Sequence, residues 1–250
     1  MNFNDYKYKM ELHAHTHPGS GCSSVSPERM VAVHKQIGCD AVVITNHFHL
    51  GHIDHYIEPT YFYECLNKDR KALVETYLAG YKKTYEIGKK EGLNVILGME
   101  IRFPQDSNDY LVFGIDEDFV DKSIDYLDKS LEEFYKGMKN DKNVIIQAHP
   151  FRNGMRHMTS EFLDGIETFN LHPEHNSRVG VACEYARDNH FPLTTCGSDF
   201  HDEPSFGLAL MKSKTLPEDS FELAEIIKSR DYLFDVSGTT VIPYGFKESL

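Results

Sequence analysis

The sequence predicts an α/β fold with a mainly parallel sheet, because short apolar runs alternate with amphipathic stretches along the whole chain. The runs are rich in Val, Ile and Leu, as strands covered on both faces are. At 250 residues the chain suits a single domain, 1–250, and a barrel is a candidate architecture. The expected strands are Tyr8–Leu12, Ala41–Thr45, Val95–Gly98, Tyr110–Gly114, Val144–Ala148, Gly165–Phe169, Leu193–Cys196 and Leu208–Met211, with a late one over Tyr232–Val236. Helix signals fall between them. Ser26-Pro27-Glu28 supplies an N-cap, a proline at the first position and a first-turn acid, opening a helix that ends near Gly38. A long amphipathic helix runs from about Asp69 to Lys90 and is stopped by Gly92. Ser130-x-x-Glu133 is a capping box. Asn176–Asp188 and Ser220–Arg230 read as further helices, and residues 49–68 and 151–160 as loops over one end.

Composition narrows the function. Acidic residues outnumber basic ones 39 to 26, for a net charge of −13. That disfavours long nucleic acid and anionic membrane surfaces. No apolar run approaches the ~20 residues of a membrane helix. The N-terminal MNFNDYKYKM has no apolar signal core. The cysteines (22, 39, 65, 183 and 196) form no CxxC, and no N-x-S/T sequon occurs, which fits reduced thiols in a cytoplasmic protein. The 14 histidines are in excess and hint at a metal site.

Their positions sharpen the hint. His13-Ala14-His15-Thr16 follows the first expected strand, Thr45-Asn46-His47 ends the second, and Gly98-Met99-Glu100 ends the third. Ala148-His149-Pro150 and Gly197-Ser198-Asp199-Phe200-His201 end later ones. Parallel strands gather their C-termini at one mouth, where sites are built. Residues two apart on extended chain share a side, so His13 with His15, and Asp199 with His201, each offer paired ligands. A lone strand-end histidine is usually an ordinary polar residue; the same chemistry at successive strand ends is not. Histidines with Glu and Asp, and no Cys, suit Zn, Fe or Mn. So many ligands exceed one tetrahedral shell, which implies at least two ions sharing a carboxylate.

These motifs, in this order from residue 11 to 201, resemble the PHP family, named for polymerase and histidinol phosphatase domains. The resemblance implies a distorted (β/α)7 barrel, two or three divalent metal ions, and phosphoester hydrolysis. It assigns His13, His15 and Asp199 to a first metal, Glu100 to the bridge, and His149 to a second metal. His175, eight residues past Glu167 in Glu167-x-x-Asn170, takes a further second-metal position, with His172 as its rival. His47 and His201 match the pair holding a third metal. Two departures stand out. The family often has Asp or His shortly after HxHT, where this chain has His17-Pro18-Gly19-Ser20-Gly21-Cys22. Its Thr-Asp-His carries Asn46 here. Both remove an anion near His47 and His201, so the third metal is either absent or held by His17 or His49.

Other residues have ordinary readings beside functional ones. Arg152, three residues past His149, would grip a phosphate or form a surface salt bridge, and Arg102 has the same alternatives. Asn108-Asp109 reads as a turn, and Cys196 as a buried strand residue. His49, His52 and His55 read as loop histidines, with His49 the first candidate for the site. Tyr56, Tyr61, Phe62 and Tyr63 read as an aromatic cluster under that loop, and Lys82-Lys83 and Lys89-Lys90 as solvated helix faces. No G-x-S-x-G, HExxH or phosphate-loop signature occurs.

The expected function is hydrolysis of a small phosphomonoester by a metal-bound hydroxide. Glu100 and Arg152 serve the reaction, and His149 or His201 protonates the leaving oxygen. The competing readings are C–N hydrolysis, as in metal-barrel amidohydrolases, and a non-catalytic metal-binding regulatory module. Glu100 stands where an amidohydrolase would place a carboxylated Lys. The expected partner is a small phosphorylated substrate, with no long nucleic acid and no membrane; oligomeric state is not legible.

Overall fold

The computed structural model describes residues 2–50, 52–53, 56–57, 69–202 and 207–247. The chain enters through β1 (Tyr8–Ala14), whose second half is wholly buried. Helix α1 (Pro27–Gln36) starts where expected: the Ser26 side chain accepts from the Arg29 N–H, and Pro27 fills the first turn. Strands β2 (Ala41–Ile44) and β3 (His47–Phe48) follow, then a short antiparallel pair, β4 (His52–Ile53) and β5 (Tyr56–Ile57). Side chains of that pair, and His55, Tyr61, Phe62 and Tyr63, lie outside the described residues. Helix α2 (Arg70–Glu91) is capped by Asp69 and ends at Gly92, which takes the left-handed conformation (φ 74°) that glycine adopts without penalty. Strands β6 (Asn94–Leu97), β7 (Met99–Arg102) and β8 (Asp109–Phe113) come next. Helix α3 (Glu117–Ser123) and helix α4 (Leu131–Met138) follow, the latter opened by the Ser130–Glu133 capping box. The remainder alternates: β9 (Val144–Gln147), β10 (Gly165–Asn170), α5 (Val179–Asp188), β11 (Leu193–Gly197), β12 (Ala209–Ser213), α6 (Ser220–Ser229), β13 (Tyr232–Val236) and β14 (Thr239–Val241).

The strands form two mixed six-stranded sheets, ordered β14-β13-β12-β1-β2-β6 and β11-β10-β9-β8-β7-β3. They face each other across a core that draws Met10, Leu12, Val43 and Ile96 from the first and Leu111, Phe113, Ile146 and Cys196 from the second. Among the described residues the ladders do not close into a continuous barrel, and the sheet is less parallel than expected. β8 runs antiparallel to both β7 and β9, and β12 to both β1 and β13. The sheets are joined by bends. The chain passes from the first to the second at Thr45-Asn46, between β2 and β3, and again at Gly98, between β6 and β7. After β11 an Ala14–Phe200 bridge ties the chain to β1, with Phe200 N–H donating to His13 O (3.0 Å) and His15 N–H to Phe200 O (2.9 Å). Those bends and that bridge carry the motifs of His13–His15, His47, Glu100 and Asp199–His201, while His149 follows β9 within the second sheet. Among the described residues no helix is long and apolar enough to cross a membrane.

One buried polar residue lies outside the strand-end motifs, on a helix. His34 lies on the buried face of α1, donates Nδ1–H to Met30 O (2.8 Å) and sets its ring edge-on to Phe200. Its Nε2 has no hydrogen-bond partner, and burial lowers its pKa to about 4 from 6.5. The unfolded chain therefore binds a proton between those values that the native state refuses. The stabilising contribution is complete above about pH 6.5 and is lost as pH falls toward 4. Acidification from about pH 7.5 to about pH 5 should cost about 2 kcal/mol through this residue. Urea denaturation of wild type and His34→Leu at both pH values checks this. An equal acid loss in the variant would show that His34 does not contribute it.

Candidate metal centre

β1 delivers His13 and, one step past its end, His15. The parallel β3–β7 register sets His47 directly beside Glu100. His149 follows β9, and Asp199 and His201 follow β11. His149 (φ 29°) and Asp199 (φ 52°) both have left-handed backbone, an uncommon conformation for such residues and one often found at functional sites. Gly197 is required two residues before Asp199. A Cβ there would stand 2.4 Å from His13 Cβ and 2.8 Å from Glu167 Oε1.

Glu100 is the hub. Its Oε1 lies 3.2 Å from both His13 Nε2 and His149 Nε2, while its Oε2 lies 2.8 Å from His47 Nδ1 and 3.4 Å from His15 Nε2. Each oxygen thus faces a different histidine pair, as a bridging carboxylate must. Asp199 Oδ1 sits 3.3 Å from His13 Nε2 and from His15 Nε2, and 3.2 Å from His201 Nδ1. Among the described residues, ligand atoms come within 4.8 Å of one another in four sets: His13-His15-Glu100, His13-His149-Asp199, His15-His47-His201 and His47-Glu100-Asp109.

The donor set fits divalent ions on two grounds. First, buried atoms aimed at the centre have no hydrogen-bond partner: His13 Nε2, His15 Nε2, His47 Nδ1, Glu100 Oε2 and Asp199 Oδ1. Unsatisfied buried polar atoms are costly unless something else meets them. Second, the opposite ring nitrogens are tied off. His13 Nδ1–H donates to Glu167 Oε1 (3.0 Å) and His201 Nδ1–H to Asp199 O (2.9 Å). Ser20 Oγ accepts the His47 N–H (3.0 Å) and donates to Asn46 Oδ1 (3.2 Å), so His15 Nδ1–H donates to Ser20 Oγ (3.0 Å). These bonds leave the Nε2 lone pairs of His13, His15 and His201 for a cation.

The electrostatics follow from the crowding. Burial alone would raise Glu100, but His13 and His47 hold it well below the usual carboxylate range. Burial opposes a charge on His13, yet Asp199, Glu167 and Glu100 push its pKa well up. Burial also opposes a charge on His201, and Asp199 raises it to about 10. Burial, then His201 and His47, drive His15 well down. Incoming cations would displace the protons held by His13 and His201.

Several predicted residues take unexpected places. His175 lines the wall of the same cavity, its ring tilted against that of His172 with centroids 4.7 Å apart, but joins none of the clustered ligand sets among the described residues. Arg152 is nearly buried, with 12% of its side chain exposed, so it is no surface salt bridge. It pairs with Asp199 Oδ2 and donates to Asn170 Oδ1 (2.6 Å). Arg102 makes a bidentate pair with Asp109, both bonds 2.6 Å.

Asp109 itself corrects the expected turn at Asn108-Asp109. It is the first residue of β8, buried, with Oδ2 3.7 Å from His149 Nε2. Because β8 is antiparallel, its start rather than its end reaches the mouth, so a search of strand ends missed it. Glu11 was missed as a functional residue too. Its Oε1 accepts from His13 N–H (3.0 Å) and Ser198 N–H (2.9 Å), and burial raises its pKa to about 7. Glu167 accepts from His149 N–H and Asn170 Nδ2 as well as from His13. Asn46 Oδ1 accepts the Thr16 N–H (2.8 Å), a loop anchor and not a ligand. The ligands open onto a cavity of about 700 Å³.

The PHP domain profile matches residues 11–236, and the chain belongs to this family. The fold is similar to that of a two-domain protein of Bacteroides vulgatus, described as containing a predicted PHP-like metal-dependent phosphoesterase. The TM-score is 0.58 at 15% identity, over 92% of this chain and 64% of that one, so the chain spans under two thirds of that protein. It is also similar to PsfC of Pseudomonas syringae, with TM-score 0.57 at 14% identity over 88% of this chain and 90% of that one. No curated protein sequence matches the chain.

The bridge and its support can be separated by metal analysis. Fully loaded wild type should carry more than one transition-metal ion per chain, and Glu100→Ala should lose ions outright. Glu167→Gln, which disturbs the acceptor of the His13 ring, the His149 amide and Asn170 but removes no candidate ligand, should weaken affinity about 10- to 100-fold. Elemental analysis with competitive chelator titration reads both; full metal content in Glu100→Ala would refute the bridge.

Proposed function

We propose that this chain is a metal-dependent phosphoesterase that hydrolyses a small phosphomonoester with two or three divalent ions of Zn, Fe or Mn. The observation that carries the reading is Glu100, a buried carboxylate whose two oxygens face separate histidine pairs beside a cavity lined by His47, His149 and His201. Membership of the PHP family, and the phosphoesterase description of the Bacteroides relative, support it. His13, His15, His47, Glu100, His149, Asp199 and His201 would hold the ions, with His175 available from the wall.

Bound divalent ions would supply an activated water near neutral pH and draw charge from the phosphoryl oxygens. The protein's own groups do the rest. Arg152 offers a fixed guanidinium at the cavity wall, suited to a phosphoryl oxygen. Its clamps, Asp199 and Asn170, orient it before substrate arrives. His149 and His201, both lining the cavity, are placed to hand a proton to the leaving oxygen. A cavity of about 700 Å³ suits a metabolite-sized ligand. The net charge of −13 opposes a long polyanion at a range set by a Debye length of about 8 Å. The free cysteines suit a cytoplasmic setting.

Phosphate release from a panel of phosphorylated metabolites, run beside amide substrates and long single-stranded DNA and RNA under the same metal and salt, tests this. The small phosphomonoesters should give the highest kcat/KM. Arg152→Ala should lower it about a hundredfold. A preference for long strands or for amides would overturn the reading.

A further inference from the structure

The antiparallel strand β8 brings to the centre a carboxylate that the strand-end pattern did not supply. On β7, Arg102 stands two residues past Glu100 and so on the same face. The β7–β8 register pairs Arg102 with Asp109, and the guanidinium holds both Asp109 oxygens at 2.6 Å. On the other side, Asp109 O accepts the N–H of Ala148 (2.9 Å), the residue before His149. Asp109 is therefore buried and fixed between the strand that carries Glu100 and the strand end that carries His149. Its Oδ2 lies 3.7 Å from His149 Nε2, which is itself 3.2 Å from Glu100 Oε1. One ligand atom each from His47, Glu100 and Asp109 lies within 4.8 Å of the others. Donors held about 2.1 Å from a shared ion stand about 3 to 4 Å apart.

A second, independent observation points into this set. His47 Nδ1 and Glu100 Oε2 face each other at 2.8 Å, yet both are buried atoms that make no hydrogen bond. The pairing with Arg102 does not exhaust Asp109. An ionised carboxylate offers about four lone-pair sites, and a bidentate guanidinium takes two of them. Asp109, His47 and His149 all line the cavity, so an ion can reach them from solvent. The place is also vacant of the residue expected there. His175, looked for beside His149, joins none of the clustered ligand sets among the described residues.

We propose that Asp109 is a metal ligand, giving a carboxylate oxygen to an ion held with Glu100 and His47 beside His149. Arg102 is then the outer partner that orients this carboxylate, as Glu167 orients the ring of His13. The inference rests on the metal centre proposed above and not on its phosphoester chemistry.

Zinc is the probe. Crystals of wild type loaded with zinc, with anomalous differences measured at the zinc absorption edge, should show an ion about 2.0 to 2.2 Å from an Asp109 oxygen. That measurement needs no variant. In solution, competitive chelator titration should find that Asp109→Asn binds one zinc ion at least about a hundredfold more weakly than wild type. Arg102→Gln, which leaves the carboxylate in place, should cost at least about tenfold less than Asp109→Asn. Zinc-filled crystals in which no ion touches Asp109, or equal losses in the two variants, would overturn the assignment and leave the centre around Glu100 standing. A wild-type protein that binds no zinc would sink both.

Discussion

The site depends on one buried carboxylate. Glu100 is removed from water on β7, between β3 and β8, where an uncompensated charge costs several kcal/mol. The chain meets that cost by placing four imidazoles around it, two facing each oxygen. Protons on some of those rings balance the charge when no cation is bound, and cations would replace them. The β3–β7 register that sets His47 opposite Glu100 is therefore an electrostatic requirement as well as a hydrogen-bonding one.

A second layer of acceptors turns the imidazoles toward that carboxylate. Glu167, Ser20 and the Asp199 carbonyl each take one ring N–H, which fixes the tautomer and directs the other nitrogen inward. Glu11 holds the His13 and Ser198 amides together and so joins β1 to the turn after β11. This is where the two sheets meet with least backbone pairing, and the polar network does there what a ladder does elsewhere. Departures from the family pattern fit this account. Ser20 and Asn46 are not failed ligands; they brace the loop and its histidines.

The antiparallel strand β8 gives the cavity its other wall. It carries Asp109 to the mouth beside His149, and Asp109 holds the Arg102 guanidinium in a planar two-bond pair. Arg152 is held on the opposite side by Asp199 and Asn170. Both guanidinium groups are thus positioned by acids that also touch the metal-binding cluster, so cation binding and the placement of positive charge are coupled.

Much of this was legible in the sequence. Apolar runs bounded by Pro, Gly and capping residues located the strands and helices, because those signals act over a few residues. The helix caps at Ser26, Asp69 and Ser130 all form as local chemistry dictates. Motif order was enough to place His13, His15, His47, Glu100, His149, Asp199 and His201 at one mouth, since that follows from strand polarity. What depends on non-local pairing was not legible. Asp109 looked like part of a turn because strand direction is set by neighbours, not by its own sequence. The open, two-sheet arrangement follows from bends at Thr45-Asn46 and Gly98 that no local pattern marks. The division of Glu100's oxygens between histidine pairs, and the exclusion of His175 from the clustered ligand sets among the described residues, are products of packing between distant segments. The sequence by itself determined which chemistry the chain carries; only the tertiary structure decided which atoms share a site, because that is settled by contacts between residues far apart along the chain.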